Sequence, residues 1–255
     1  AMAVAGCDAV VNLSGVLVEQ GRQSFNAVHV LGATNVAQAA RDNGITNVVH
    51  MSALGADLAG QSAYARSRAQ GEQAVQDLVP SAAFLRPSIL FGEGDNFFTR
   101  FAKLANMSLA LPLVGGGKTK FAPVYVDDVA QAVSVVLAKG TAGETYELVG
   151  PQRYTFKELL AFVLRCIDKK RLLLPVPWSL SAMLGMFGEI SGFIPLVTPF
   201  LTRDQVKSLR TDNVASGAHP GLADLGITPE TIQAIVPETL SHFRKYGQFH
   251  ETEIA

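Results

Sequence analysis

Tyr64 and Arg68 stand four residues apart in the segment Ser62-Ala-Tyr64-Ala-Arg-Ser-Arg68-Ala-Gln-Gly71-Glu72. On a helix that spacing sets the phenol and the guanidinium on one face. The pair joins a titratable hydroxyl to a planar charge that is never deprotonated. The ordinary meaning of such a pair is a surface aromatic beside a solvated base. Its surroundings argue for more: a strand precedes it, Gly71-Glu72 follow within the same helix, and Arg86-Pro87-Ser88-Ile89-Leu-Phe91-Gly92 comes next. Ser14 and Gly15 end an earlier strand, where small residues let a ligand approach the backbone closely. The five histidines (His29, His50, His219, His242 and His250) show no metal-ligand spacing. Gly115-Gly-Gly117-Lys118 has neither the spacing nor the following helix of a phosphate loop and reads as a mobile turn.

Alternating strands and helices must position these residues. Asp8 to Ser14 reads as a buried strand ending at Gly15. Apolar positions from Phe25 to Ala39 follow helical spacing within Ser24 to Arg41, and Asp42-Asn-Gly44 stops that helix. Asn47 to Ser52 is the next strand, and the Tyr64 helix ends before Pro80. Ala82 to Pro87 forms a third strand. Repeats of this length imply a parallel sheet with right-handed crossovers. Beyond Gly92, a short helix is expected over Asn96–Leu104. Val124–Val126 leads through Asp127-Asp128 into a helix over Val129–Leu137, and a strand follows over Thr145–Gly150. The rest is mainly helical with proline-rich joints. The resulting division assigns 1–92 and 124–150 to the sheet domain, and 93–123 and 151–255 to a smaller C-terminal cap.

Composition excludes several classes. At 255 residues the chain is 48% hydrophobic and 17% charged, which is globular. A net charge of -1 gives no general attraction to nucleic acid. Cys7 and Cys166 form no spacing motif and suit a reducing compartment. The opening Ala1–Gly6 lacks the basic region of a signal peptide. Between Leu172 and Thr202 the sole charged residue is Glu189, yet Pro175, Pro177, Pro195 and Pro199 interrupt the run, so no transmembrane helix is expected there. The same prolines argue against one regular core helix. The large apolar groups of 172–202, among them Met186 and Phe187, either pack on the sheet domain or form a surface for a partner subunit or a membrane.

The motifs Asn12-Leu-Ser14-Gly15, Gly32-Ala-Thr-Asn35, Tyr64-x-x-x-Arg68, Arg86-Pro87 and Val124-Tyr-Val-Asp127-Asp128 occur in the order found in extended short-chain dehydrogenases. Pro123-Val-Tyr-Val126, Gly150-Pro-Gln-Arg-Tyr154, Thr202-Arg-Asp204 and His219-Pro-Gly-Leu-Ala-Asp-Leu-Gly226 narrow the match. The whole chain resembles the nucleotide-binding accessory subunits of respiratory complex I, the alpha subcomplex subunit 9 family, in its bacterial form. The resemblance implies an α/β fold, a Rossmann-like doubly wound parallel sheet. It also implies a bound NADPH, or NADH, in a structural role, and other complex I subunits as partners. The implied location is peripheral: the cytoplasmic side of the bacterial inner membrane, or the matrix side of the mitochondrial one. In this reading Ser14, Gly15, Ser52, Tyr64, Arg68, Pro87, Ser88 and Ile89 contact the cofactor, with Arg68 gripping the nicotinamide ribose and Pro87-Ser88-Ile89 beside the carboxamide.

Three departures from the pattern of active relatives weigh against turnover. Arg68 replaces the usual Lys, Leu54 stands where a proton-sharing Ser or Thr is found, and His29 occupies a position that often carries Asn. Only Tyr64 remains of the catalytic set, in a vestigial or weak role. The glycine-rich turn that opens a dinucleotide fold is not found near residue 1, so the chain is expected to begin inside a domain with its first strand at an open edge. The rival readings are an active NAD(P)-dependent reductase or nucleotide-sugar epimerase, and a redox sensor whose partner affinity depends on bound nucleotide.

Overall fold

The computed structural model describes residues 4–191 and 201–244. In chain order the first part runs through β1 (Ala9–Asn12), a π-helical turn over Asn26–Gly32 that continues into α1 (Ala33–Asp42), β2 (Asn47–Met51), α2 (Ala63–Leu78), β3 (Ala83–Pro87) and β4 (Leu90–Phe91). It continues with α3 (Phe98–Met107), β5 (Ala110–Val114), β6 (Lys120–Phe121), β7 (Val124–Tyr125), α4 (Val126–Lys139) and β8 (Thr145–Leu148). The remainder holds β9 (Tyr154–Thr155), α5 (Phe156–Cys166), β10 (Leu172–Val176), α6 (Trp178–Ser191), α7 (Arg203–Ser208) and α8 (Ile232–Thr239).

The main sheet is parallel, in the order β1-β2-β3-β8. Its strands are near-continuous apolar runs because both faces are covered. Successive residues point to opposite faces, and the core divides accordingly. Val10, Val48 and Phe84 pack with Ala33, Ala37 and Val75 of α1 and α2. Val49, Leu85 and Leu148 pack with Val129, Ala132 and Val136 of α4. Helices on both faces make the sheet doubly wound, as the alternating pattern predicts, and β1 lies at its edge.

A second core lies apart from the sheet, where Phe91, Phe98, Leu111, Phe156, Leu160 and Val236 are buried together. The rings of Phe97, Phe101 and Phe156 meet there at centroid distances of 5.1–6.1 Å. Parallel pairing of β5 with β10 completes it. Leu222, Leu225 and Ile227 lie within the stretch expected in the cap, yet they pack on the sheet against the α4 face.

Several boundaries differ from the sequence reading. α4 begins at Val126, so Asp127 and Asp128 occupy its first turn, where carboxylates favour the helix dipole, instead of preceding it. The short helix expected over Asn96–Leu104 spans Phe98–Met107, started by Asp95, whose carboxylate accepts from the Phe97 and Phe98 amides at 2.8 and 2.6 Å. The last strand of the sheet ends at Leu148, two residues early. The large apolar groups from Trp178 onward nevertheless share one regular helix, because α6 runs unbroken over 14 residues between the prolines. Pro175 lies in β10 and Pro177 immediately before α6, while Pro195 and Pro199 lie outside the described residues. Gly115–Gly117 is not a loose turn. All three glycines take positive φ, Gly117 is buried, and a side chain on Gly115 would overlap the Trp178 ring.

Candidate functional site

α2 starts where Ser62 accepts a hydrogen bond from the Ala65 amide at 3.1 Å, an N-cap the sequence reading did not assign. Ser67, Arg68, Gly71, Glu72 and Val75 form the buried side of this helix. Gly71 is required by close approach, since a Cβ there would collide with the His29 carbonyl on the π-helical turn. Tyr64 is half-buried and meets the rings of Phe25 and His29 edge-on at 5.8 and 5.5 Å.

Arg68 is buried at the carboxyl ends of β1 and β2. Its Nη1 donates to the Met51 carbonyl at 3.2 Å and to that of Ser14 at 3.4 Å. Its Nε makes a long contact, 3.3 Å, to the Tyr64 hydroxyl, and its guanidinium lies 5.4 Å from the centre of that ring. Nη2 faces Gly15, where any Cβ would overlap it. Tyr64, Arg68, Ser14 and Gly15 are therefore brought together, with Ser14 and Gly15 exposed to solvent.

Two imidazoles lie beside Arg68. His29 accepts the Val16 N–H on Nε2 at 3.1 Å, which leaves Nδ1–H to donate to Ser67 Oγ at 2.8 Å; Ser67 in turn donates to the Tyr64 carbonyl at 2.8 Å. His50 Nδ1 accepts from Asn12 Nδ2 at 3.1 Å, and Asn12 Oδ1 accepts the Ser14 N–H at 3.1 Å. Burial, reinforced by the Arg68 charge, pushes each imidazole down to a pKa of about 4. Both are neutral near pH 7, and Arg68 carries the positive charge of this corner.

The segment Pro87-Ser88-Ile89 leaves the sheet at the same end, but most of its polar groups are engaged. The Ser88 N–H donates to Leu148, its hydroxyl to Asn213 Oδ1 at 2.6 Å, and the Pro87 and Ile89 carbonyls accept from Leu54 and Val124. Ser52 is different. Its Oγ is buried without a hydrogen-bond partner among the described residues. Leu54 is buried, so no hydroxyl stands at that position. Arg86, whose motif the sequence singled out, faces Glu72 in a two-pronged ion pair with bonds of 2.8 and 2.5 Å, which ties β3 to α2.

The sequence reading missed the second layer of the site. Asn213 joins the ends of β2 and β3 by donating to the Leu54 carbonyl at 3.3 Å while accepting from Ser88. Ser67 and Asn12 hold the two imidazoles, and Asp204 caps α2. Ser67 carries a signal in hindsight, three residues after Tyr64 on the buried side. Asn213 lies 125 residues from Ser88 and carries none, and Asp204, although it falls in the Thr202-Arg-Asp204 motif, carries no sign of its partners 140 or more residues away.

A fixed cation and a phenol, brought together beside exposed Ser14 and Gly15 at the carboxyl ends of parallel strands, suit a polyhydroxylated ligand in a sheet crevice. The family model described as "NAD dependent epimerase/dehydratase family" matches residues 1–149. The mitochondrial NADH dehydrogenase (ubiquinone) 1 alpha subcomplex subunit 9 of Mus musculus is 32% identical over 246 residues, 96% of this chain and 64% of that protein. Its Arabidopsis thaliana counterpart is 30% identical over 253 residues, 96% of this chain and 62% of that protein. This chain thus spans somewhat less than two thirds of those relatives. Among solved structures, the dTDP-glucose 4,6-dehydratase DesIV of Streptomyces venezuelae, crystallised with NAD and TYD, superposes with a TM-score of 0.65 at 20% identity, covering 93% of this chain and 73% of that one. The chain belongs to the NAD dependent epimerase/dehydratase family.

Proposed function

We propose that this family member is the nucleotide-holding part of an accessory subunit of a respiratory NADH:quinone oxidoreductase, and that it retains NADPH, or NADH, as a structural group. The observation that carries the reading is the fixture of Arg68. Bonds to the Ser14 and Met51 carbonyls hold its charge at the sheet edge, where it meets a ribose without reorganising. Ser14, Gly15, Ser52 and Tyr64 complete the contact on the ribose side, and Pro87, Ser88 and Ile89 line the nicotinamide side. Ser52 gives its orphaned hydroxyl a partner when nucleotide is present. The nicotinamide supplies hydride chemistry in active relatives. Here Leu54 places a buried apolar side chain where a proton-sharing hydroxyl is needed, and a planar guanidinium replaces the compact ammonium beside Tyr64.

The subunit reading draws on the two relatives named for NADH dehydrogenase, which are similar over 96% of this chain, including the region beyond residue 149. It sets residues 1–92 and 124–150 as the nucleotide domain and 93–123 with 151–255 as the cap. The partners are other subunits of the complex, and the place is the face of the inner membrane on the cytoplasmic or matrix side. No described helix is long and apolar enough to cross a membrane. The second reading, a reductase or nucleotide-sugar epimerase, is favoured by the half-buried Tyr64 hydroxyl within reach of Arg68. Purification in mild detergent separates the two. Co-migration with a membrane complex, with reduced nucleotide released only on denaturation, supports the subunit. Sustained oxidation of NADPH by carbonyl or nucleotide-sugar substrates, abolished in Tyr64→Phe, overturns it.

A further inference from the structure

The amino terminus of α2 is capped from two sources. Ser62 supplies the local cap: its Oγ accepts from Ala65 and its carbonyl from Arg66. The first two amides of the helix are bonded by a residue from the far end of the chain. Asp204 Oδ1 accepts the Ala63 N–H at 2.6 Å and Oδ2 the Tyr64 N–H at 3.0 Å. Both carboxylate oxygens are spent on the backbone of Tyr64 and its neighbour.

Asp204 is itself firmly placed. It sits in the first turn of α7, which begins with a capping box between Thr202 and Gln205 and is anchored by buried Val206. The adjacent Arg203 binds Glu189 of α6 through both its amide and its Nε, at 2.9 and 2.8 Å. A continuous set of bonds thus runs from α6 through α7 to the helix that carries Tyr64 and Arg68.

We propose that Asp204 is a positioning residue that couples nucleotide occupancy at Tyr64 and Arg68 to the docking of α6 and α7 on α2. The inference rests on the nucleotide reading given above. With the clamp closed, the first turn of α2 is held and the Tyr64 phenol and Arg68 guanidinium keep one spacing. With it open, two amides at the positive end of the helix lose a charged acceptor, that turn frays, and Tyr64 leaves its place first. Linkage requires the converse: a nucleotide that orders Tyr64 also holds α7 down, together with the half-exposed apolar surface of α6. The state of the cofactor site is then legible at α7 and α6. The carboxylate is needed for both bonds. An amide at position 204 can accept from one N–H with its oxygen, but its NH2 group cannot accept from the other.

The test uses the full-length protein, with NADPH affinity measured by titration calorimetry and amide hydrogen exchange followed by mass spectrometry over 63–68 and 203–208. The expected result is that Asp204→Ala weakens NADPH binding about tenfold and Asp204→Asn by an intermediate factor, within the range of measured site-to-site couplings. In wild type, NADPH slows exchange across 203–208; in Asp204→Ala that protection is lost while protection at Arg68 remains. Ser62→Ala, which removes the local half of the cap, leaves nucleotide protection of 203–208 in place. The wild-type exchange measurement stands even where a variant fails to fold. Unchanged affinity in Asp204→Ala, or wild-type exchange over 203–208 indifferent to NADPH, overturns the coupling alone. A wild-type protein that binds neither NADPH nor NADH overturns the nucleotide reading, and the coupling with it.

Discussion

Around Arg68 the structure buries polar groups and bonds nearly all of them, whereas along β5, β10 and α6 it leaves large apolar groups in solvent. Asn12, His29, His50, Ser67 and Arg68 are all buried and hydrogen-bonded, and Ser52 Oγ is the orphan among them. In the cap, by contrast, Met107, Leu109 and Leu172 are 88%, 81% and 67% exposed where β5 and β10 begin, and Leu180, Met183, Leu184 and Met186 stand half out of α6. The first region has met the cost of ordering its polar groups within the fold, so a ligand finds donors already aimed. The second gains free energy only when something covers it. One region is therefore sensitive to its own residues, the other to its surroundings, and substitutions in the two should separate cleanly.

The largest effect is expected from Gly71→Ala. The added methyl meets the His29 carbonyl, and separating α2 from the π-helical turn should destabilise the protein by about 2–3 kcal/mol, read by urea unfolding. A loss under about 0.5 kcal/mol would show that the two elements adjust freely.

Next comes the pH dependence of the buried imidazoles. Above pH 6.5 both are neutral in the folded and unfolded chains. Between pH 6.5 and about 4 the unfolded chain takes up protons that the folded one refuses, so stability falls as pH falls through that window. His50→Gln keeps an acceptor for Asn12 and removes one titration, so its stability should fall less steeply with acid than that of wild type. Parallel profiles for the two proteins would contradict neutral burial of His50.

The smallest effect is expected at the apolar surface. Met183→Ser with Met186→Ser should change the stability of the isolated protein by less than about 0.5 kcal/mol per site and leave nucleotide binding intact, because both side chains are half-exposed. Unfolding of the double variant would make α6 part of the core and dissolve the contrast between the two regions. Phe187 belongs to the same stretch, but its side chain lies outside the described residues.

What could be read in the sequence follows the same division. The strands and α1, α2 and α4 were legible because their apolar residues fall at the spacing of elements covered on one or both sides, and because Gly44, Pro80 and Asp127 mark ends. Tyr64, Arg68, Ser14 and Gly15 were legible as a group because three consecutive strand–helix units fix which ends of the strands meet. The residues that hold the group in place were not. Asp204 and Asn213 act across 125 or more residues of chain through a few long-range hydrogen bonds, which leave no periodicity. Of the prolines that argue against a regular helix over 172–202, Pro175 and Pro177 stand before α6 and leave it unbroken. Gly115 read as freedom, whereas Trp178 packs directly on it.

If Arg68 is a fixed cation for nucleotide, its removal should show first in how long nucleotide stays bound. The full-length protein would be purified with its nucleotide, washed extensively, and the remaining NADPH quantified by mass spectrometry for wild type, Arg68→Lys and Arg68→Ala. The account predicts loss of a charge-assisted contact of about 1.5–3 kcal/mol in Arg68→Ala, and so a faster washout, with retention preserved in Arg68→Lys. Equal retention in wild type and Arg68→Ala would contradict it.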